Sequence, residues 1–152
     1  MDSAYLHYSQ VPIPKLYDID EQPTHFKPRG LWLSRGSAWL EWGDENGFGV
    51  SENYVYKVEL RTEPNLLELN SYEDLVELNK KYASWQDVSR DYNGVLVANY
   101  GEVRKRVLFK YDWCAKPAGI GYLWYLGLDV PCACIWRPSK AVASLVLEEL
   151  PR

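Results

Sequence analysis

The order of apolar and polar residues predicts several short strands. The clearest covers Tyr54–Leu60, where apolar side chains alternate with Lys57 and Glu59, which would face water. Leu31–Leu33 is apolar without alternation, which is typical of a strand covered on both faces. Other strand-like segments are Ala4–Ser9, Leu66–Leu69, Val95–Ala98, Arg106–Trp113, Tyr122–Tyr125 and Val130–Trp136. The last segment, Ala141–Leu150, fits either a strand or a short helix.

Helical signals are concentrated in the middle of the chain. A helix is predicted from a Ser71 N-cap to about Tyr82, because an acid, Asp74, follows Ser71 by three residues. Trp85–Asp91 fits a second, shorter helix. Many strands with one strong helix indicate an α+β fold, and 152 residues are the usual size of one domain, so we expect a single domain over 1–152.

Aromatic residues are the unusual feature of the composition. The chain has seven Trp and twelve Tyr but only three Phe. Because Trp and Tyr carry a polar group, this excess favours clefts and half-wet surfaces as well as core. Three tryptophans, Trp32, Trp39 and Trp42, fall within eleven residues. Such a cluster must pack on a core or on a flat ligand.

Charge and sequence pattern argue against two classes of partner. The formal net charge is −4, and the one basic cluster, Arg104-Lys105-Arg106, is expected to be a solvated strand edge. Phosphate contacts require clustered Lys and Arg, so there is no strong nucleic-acid signal. No apolar run is long enough to cross a bilayer, and the N-terminus lacks a signal region. We therefore expect a cytoplasmic protein with no membrane partner.

The cysteines favour a reduced compartment and no metal site. There are three, Cys114, Cys132 and Cys134, and an odd number fits free thiols better than a disulfide framework. Cys132 and Cys134 would share a face of one strand. The histidines, His7 and His25, lie far from them in sequence, so a zinc site is not expected. Buried small hydrophobes are the simpler interpretation of the paired cysteines.

No phosphate-binding loop, dinucleotide-binding turn, zinc-protease helix or nucleophile elbow is present. Instead, three pieces occur in a suggestive order. Leu6-His7-Tyr8-Ser9 is a strand with a His near a hydroxylic residue. Gly30-Leu31-Trp32-Leu33-Ser34, then Ser37-Ala38-Trp39, is a Gly-hydrophobic-aromatic-hydrophobic strand followed by a Ser and an aromatic residue, and Tyr54–Leu60 supplies a third strand. This order resembles the ADP-ribosyltransferase superfamily, in the His-Tyr-acid branch of diphtheria-type toxins and poly-ADP-ribose polymerases.

The resemblance implies a fold of split antiparallel β-sheets with a few short helices, and NAD as substrate. ADP-ribose would pass to a protein or nucleic-acid acceptor that the sequence does not identify, and a monomer is the default. By this analogy His7 bonds a ribose hydroxyl and Trp39 stacks on nicotinamide, with Trp32 or Trp42 as substitutes. Ser34 or Ser37 would bond the carboxamide, and Arg29 or Arg35 would face the diphosphate. The residues implied to bind the cofactor are Ser9, Arg29, Gly30, Trp32, Ser34, Ser37 and Trp42.

The sequence departs from the family pattern at the acid. The family places an acid, usually Glu, at the start of a late strand, and neither Gly94-Val95-Leu96 nor Cys132-Ala133-Cys134 begins with one. Asp129, just ahead of the second strand, is the best candidate for the third catalytic residue, beside His7 and Trp39. Glu102 and Glu148 are the alternatives.

Plainer interpretations compete with each assignment. His7 could be a structural histidine, Trp32 a core residue and Asp129 a turn residue, and Ser34 or Ser37 could cap a helix near Ala38. Two other functions compete as well. One is a non-catalytic, aromatic-rich module that binds a nucleotide, a carbohydrate or a protein. The other is an NAD-dependent RNA 2′-phosphotransferase-like enzyme, against which the acidic charge balance argues.

Overall fold

A computed structural model describes residues 5–23, 26–36, 38–39, 54–110 and 120–148. Within these residues there are seven strands and five helices, three of the helices being short. The strands are β1 Tyr5–Ser9, β2 Leu31–Arg35, β3 Tyr54–Leu60, β4 Leu66–Leu69, β5 Gly94–Val97, β6 Cys132–Ile135 and β7 Val142–Glu148. The helices are α1 Tyr72–Lys81, α2 Trp85–Asp91, α3 Tyr100–Lys110, α4 Leu123–Leu126 and α5 Pro138–Ala141. The predicted α+β class is confirmed.

The strands form one mixed sheet that curls into a half-barrel, in the order β4-β5-β6-β2-β1-β3-β7. Only β4 and β5 run parallel, and the helices α1 and α2 connect them because a parallel pair needs a crossover. All other neighbours are antiparallel. The described residues thus differ from the predicted split antiparallel sheets in forming one hydrogen-bonded sheet that includes a parallel pair.

The ladder between β1 and β2, near the middle of the sheet, is short. β1 pairs with β3 along all five of its residues, from Tyr5 to Ser9. Its ladder with β2 contains only Tyr5 opposite Arg35 and Leu6 opposite Ser34. β2 continues its pairing with β6 from Leu31 to Ser34. The strands β1 and β2 therefore part beyond Leu6, and this gap positions the site described below.

Two apolar clusters cover the two faces of the sheet. The larger one contains the buried faces of α1, α2, α3 and α4, and the smaller one lies around Leu33 and Val58. On β6 the side chains of Cys132 and Cys134 join the larger cluster and those of Ala133 and Ile135 the smaller, as period-two alternation requires. The shared face predicted for the two cysteines is confirmed.

Strand β2 is covered on both faces, as its sequence predicted. Trp32 packs against the larger cluster, whereas Leu31 and Leu33 belong to the smaller one. Gly30, just before β2, serves close packing: a Cβ there would lie 2.6 Å from the Ile135 carbonyl oxygen and 2.8 Å from Cys134 Sγ. A glycine is required here because the chain must approach the backbone of β6 this closely.

The two predicted helices are confirmed, and both begin with a serine cap. Ser71 Oγ accepts from the Asp74 N–H at 3.2 Å, and Ser84 Oγ accepts from the Asp87 N–H at 3.3 Å. Lys80 and Lys81 lie in the last turn of α1, where the helix dipole favours cations. Local sequence is sufficient for these helices because their start signals lie within one turn.

Two predicted strands are wrong. Arg106–Lys110 lies in α3, and the rest of the predicted strand, residues 111–113, is outside the described residues. Val103 and Val107 are buried with helical spacing, while Phe109 is 90% exposed. The basic cluster is consequently on a helix surface, where Arg106 pairs with Glu73 at 2.7 Å. Tyr122–Tyr125 is likewise helical, because α4 begins at Leu123. No helix among the described residues is long and apolar enough to span a membrane.

Candidate functional site

A cavity of about 260 Å³ lies where β1 and β2 part. Five parts of the chain line it: strand β1, strand β2, Trp39 after β2, Lys27 before β2, and the segment that leads from α4 into the start of β6. The lining residues are Leu6, His7, Tyr8, Lys27, Trp32, Leu33, Ser34, Trp39, Gly127, Leu128, Asp129, Val130 and Cys132. The cavity therefore brings together all three predicted catalytic residues, His7, Trp39 and Asp129, with Trp32 and Ser34.

His7 is fixed by a bond across the gap between the strands. Its Nδ1 lies 2.7 Å from the Trp32 carbonyl oxygen. Since a carbonyl can only accept, Nδ1 carries the proton and donates. In the tautomer that is protonated at Nδ1, Nε2 is a hydrogen-bond acceptor, and no residue in the described part of the chain bonds that nitrogen. This arrangement suits a ligand hydroxyl group.

Trp39 reaches the cavity because the chain turns sharply after β2. Gly36 has a φ of 55°, a left-handed conformation that glycine adopts without steric cost, and Ala38 and Trp39 are helical. Trp32, on β2 itself, packs against the larger apolar cluster while also lining the cavity. Both indoles are half-buried. Trp32 therefore forms part of the core as well as the cavity wall, and Trp39 contributes a second indole to the lining.

Ser34 carries a buried hydroxyl without a hydrogen-bond partner among the described residues. The residue is only 7% exposed, and it lines the cavity beside Leu6 and Cys132, its partners in the ladder. Leaving such a group unsatisfied costs about 1–3 kcal/mol. A polar atom of a ligand or a water molecule in the cavity would remove this cost. Ser34 thus offers the cavity a hydroxyl that can bond a ligand or a water molecule.

Asp129 is an exposed residue in the segment that precedes β6, three residues before Cys132. It is the carboxylate among the described residues that line the cavity. The alternative Glu102 lies on α3, where it pairs with Lys105 at 3.4 Å. Glu148 ends β7 and, like Glu102, is absent from the cavity lining. The geometry therefore favours Asp129 over both alternatives.

Cys132 lines the same cavity but is a poor nucleophile. Burial raises the pKa of its thiol to about 12; the Lys27 charge opposes this shift and the Asp129 charge adds to it. Burial also raises the pKa of Cys134 well above its usual value. Because the thiolate is the reactive form, both side chains act as small apolar groups at neutral pH.

Several predicted ligand residues lie elsewhere. Ser9 is half-buried and its hydroxyl donates to the Val11 carbonyl at 2.6 Å, while Arg29 and Arg35 are exposed; all three are outside the cavity lining. Gly30 packs on β6 rather than lining the cavity. Ser37 and Trp42 lie outside the described residues, so their predicted roles remain predictions.

Sequence reasoning missed Lys27, the cation that lines the cavity. It belongs to the same Lys27–Ser34 stretch that carries the aromatic strand motif, but Arg29 was preferred there for its fit to phosphate. No family model, curated protein or solved structure matches the chain. Function must therefore be inferred from the chemistry of the cavity itself.

Proposed function

We propose that this protein is an NAD-dependent ADP-ribosyltransferase of the His-Tyr-acid type, which cleaves the bond between nicotinamide and ribose and transfers ADP-ribose to a macromolecular acceptor. One observation carries the proposal. His7, Trp39 and Asp129, assigned from the sequence resemblance and distant along the chain, line one cavity. This convergence is what the resemblance implies, and it supports the proposal.

The lining chemistry suits each part of the reaction. Nε2 of His7 accepts a hydrogen bond from a ribose hydroxyl, the Trp39 indole stacks on the nicotinamide ring, and the Ser34 hydroxyl bonds the carboxamide. When the glycosidic bond breaks, its electron pair leaves with nicotinamide and positive charge develops on the ribose. The carboxylate of Asp129 stabilises that charge. The acceptor then attacks the ribose carbon and gives up a proton.

The sheet also supports the finer fold assignment that forms part of this proposal. We interpret the short ladder between β1 and β2 as the split of an ADP-ribosyltransferase-type sheet, with the cavity in the split. The family pattern places the acid at the start of a late strand. Here the late strand is β6, which pairs with β2, and Asp129 precedes it by three residues.

A second candidate is NAD binding without catalysis, which the exposed position of Asp129 ahead of β6 favours. An exposed carboxylate is solvated, so it stabilises a developing charge less than a buried one. The two candidates share the cavity and differ only in whether the glycosidic bond breaks.

Release of free nicotinamide from NAD tests the proposal. The purified protein should release nicotinamide, and both His7→Ala and Asp129→Asn should lower the rate by about a hundredfold or more. Asp20→Asn is the matched control, since Asp20 is exposed and outside the cavity lining, and it should leave the rate unchanged. A thermal shift with NAD but no release would favour the binding candidate. If NAD causes no thermal shift and no nicotinamide is released, the proposal is overturned.

A further inference from the structure

Lys27 is a cation held at the cavity without a counter-ion in the described part of the chain. It is half-buried and lines the cavity. The four ion pairs found among the described residues do not include it. Asp129 lines the same cavity but is not within ion-pair distance of Lys27. A half-buried ammonium group without a partner is suited to receive an anion.

The backbone on both sides of Lys27 is anchored to the core. The buried indole of Trp85 donates to the Phe26 carbonyl at 2.7 Å, and the Cys134 thiol lies 3.9 Å from the Pro28 carbonyl oxygen. Phe26 has a φ of 70°, a left-handed conformation that is costly for a bulky residue. Such strain persists only where surrounding contacts hold it, and it is frequent at ligand sites.

The Lys27 side chain lies over the segment that carries Asp129. Its Cε is 3.2 Å from the position that a Cβ on Gly127 would occupy, so the absence of a side chain at Gly127 makes room for the lysine stem. Its Nζ lies 5.7 Å from the centre of the Phe26 ring, a further contact that favours a cation. Backbone, stem and ammonium group are thus all held beside the cavity.

The size of the cavity indicates which part of a dinucleotide would meet this lysine. Sites that enclose a drug-sized ligand have volumes of about 300–1,000 Å³, and this cavity measures about 260 Å³. It fits the nicotinamide and its ribose better than a whole dinucleotide. The diphosphate must then lie at the edge of the enclosed part, and Lys27 is the basic residue among the described residues that line the cavity.

We propose that Lys27 binds the diphosphate of NAD, an inference that rests on the proposed function and adds a specificity determinant to the site. The lysine selects dinucleotides and ADP-ribose over nicotinamide nucleosides, which lack the diphosphate.

Calorimetric titration with NAD, ADP-ribose and nicotinamide riboside tests the inference. Lys27→Gln should weaken binding of NAD and of ADP-ribose by about tenfold or more, because it removes a charge-assisted hydrogen bond. Binding of nicotinamide riboside should change by less than about twofold. Lys15→Gln, which removes the charge of an exposed lysine outside the cavity lining, is the matched control and should alter none of the three affinities. Circular dichroism and thermal melting of each variant verify its folding.

The outcomes separate the two proposals. If the unaltered protein binds NAD and Lys27→Gln binds it equally well, the lysine inference is wrong and the proposed function stands. If Lys27→Gln weakens the binding of nicotinamide riboside as much as the binding of NAD, the lysine affects the cavity and does not bind the diphosphate. This result also overturns the inference. If the unaltered protein binds none of the three compounds, the proposed function fails and the inference fails with it.

Discussion

The described tryptophans form two groups that differ in burial. Trp85, Trp124 and Trp136 are fully buried at 0% exposure and touch one another, with Trp85 edge-on to Trp124 at 4.9 Å and tilted against Trp136 at 6.2 Å. The indoles of Trp85 and Trp136 each donate to a backbone carbonyl at 2.7 Å. Trp32 and Trp39 are instead half-buried and line the cavity.

The difference lies in the surroundings and not in the residue type. The core group sits on α2, on α4 and just after β6, where helices cover the sheet. The cavity pair, Trp32 and Trp39, instead lines the cavity at the place where the ladder between β1 and β2 ends. An aromatic side chain therefore serves as core or as ligand surface according to whether an adjacent element covers it.

The largest expected effect is loss of stability in the core group. Trp85→Ala should lower the free energy of unfolding by about 3–5 kcal/mol, because it leaves a cavity and an unpaired Phe26 carbonyl. That loss is comparable with the whole stability of a small domain. Urea denaturation followed by circular dichroism measures it. A loss below about 1 kcal/mol would contradict the assignment of Trp85 to the core.

Trp39→Ala should affect NAD binding more than stability. We expect it to lower the unfolding free energy by less than Trp85→Ala does, because Trp39 is half-buried whereas Trp85 is fully buried. Its affinity for NAD should fall by about tenfold, because the stacking surface is lost. Quenching of tryptophan fluorescence by NAD in the unaltered protein, reduced in Trp39→Ala, reports the contact. Unchanged NAD affinity together with a large stability loss would place Trp39 with the core group.

Ser34→Ala removes a single hydroxyl group and should change stability and NAD binding in opposite directions. Removing a buried hydroxyl without a partner in the described residues should raise the unfolding free energy by up to about 1 kcal/mol without ligand. The same change should weaken NAD binding by several-fold, by about the value of one hydrogen bond. Ser144→Ala, on β7 and outside the cavity lining, serves as the control. A variant that is less stable and binds NAD equally well would show that the hydroxyl is satisfied within the protein.

The smallest effect concerns Cys132. This residue lines the cavity, but its thiol should react as slowly as a thiol in the core. Its pKa is raised by burial to about 12 in the folded chain, whereas an unfolded thiol ionises near about 8.5. The stability that this group contributes is thus complete below the unfolded value and is lost as the pH rises toward the folded one. Iodoacetamide at pH 8, with the labelled site read by mass spectrometry, should modify Cys132 at least about tenfold more slowly in the folded than in the unfolded protein. Equal rates would show an accessible thiolate.

Local sequence patterns predicted those parts of the fold whose signals are local. Ser71 and Ser84 mark helix starts within one turn, and the alternation around Lys57 and Glu59 marks β3. The pattern failed at α3, because Val107 and Phe109 have strand-like spacing and only the contact of Val103 and Val107 with the core makes the segment helical. Tertiary packing overrides local pattern in such segments.

The site was predictable in its residue types but not in its cation. His7, Trp39 and Asp129 follow from motif order, and the sheet brings them to one cavity. Which of Lys27 and Arg29 faces that cavity depends on the left-handed turn at Phe26 and on the approach of Gly127. These long-range contacts leave no signal in the local sequence, so Arg29 was chosen on its chemistry alone.

The central claim is that the cavity between β1 and β2 binds the nicotinamide end of NAD. A crystal structure of the protein with a carbocyclic NAD analogue, which resists cleavage, tests this most directly. We expect the nicotinamide ring to stack on Trp39 and its carboxamide to bond Ser34 Oγ. We expect a ribose hydroxyl to donate to His7 Nε2 and the diphosphate to lie beside Lys27. An analogue bound elsewhere, or a cavity that stays filled only with solvent at saturating analogue, would contradict it.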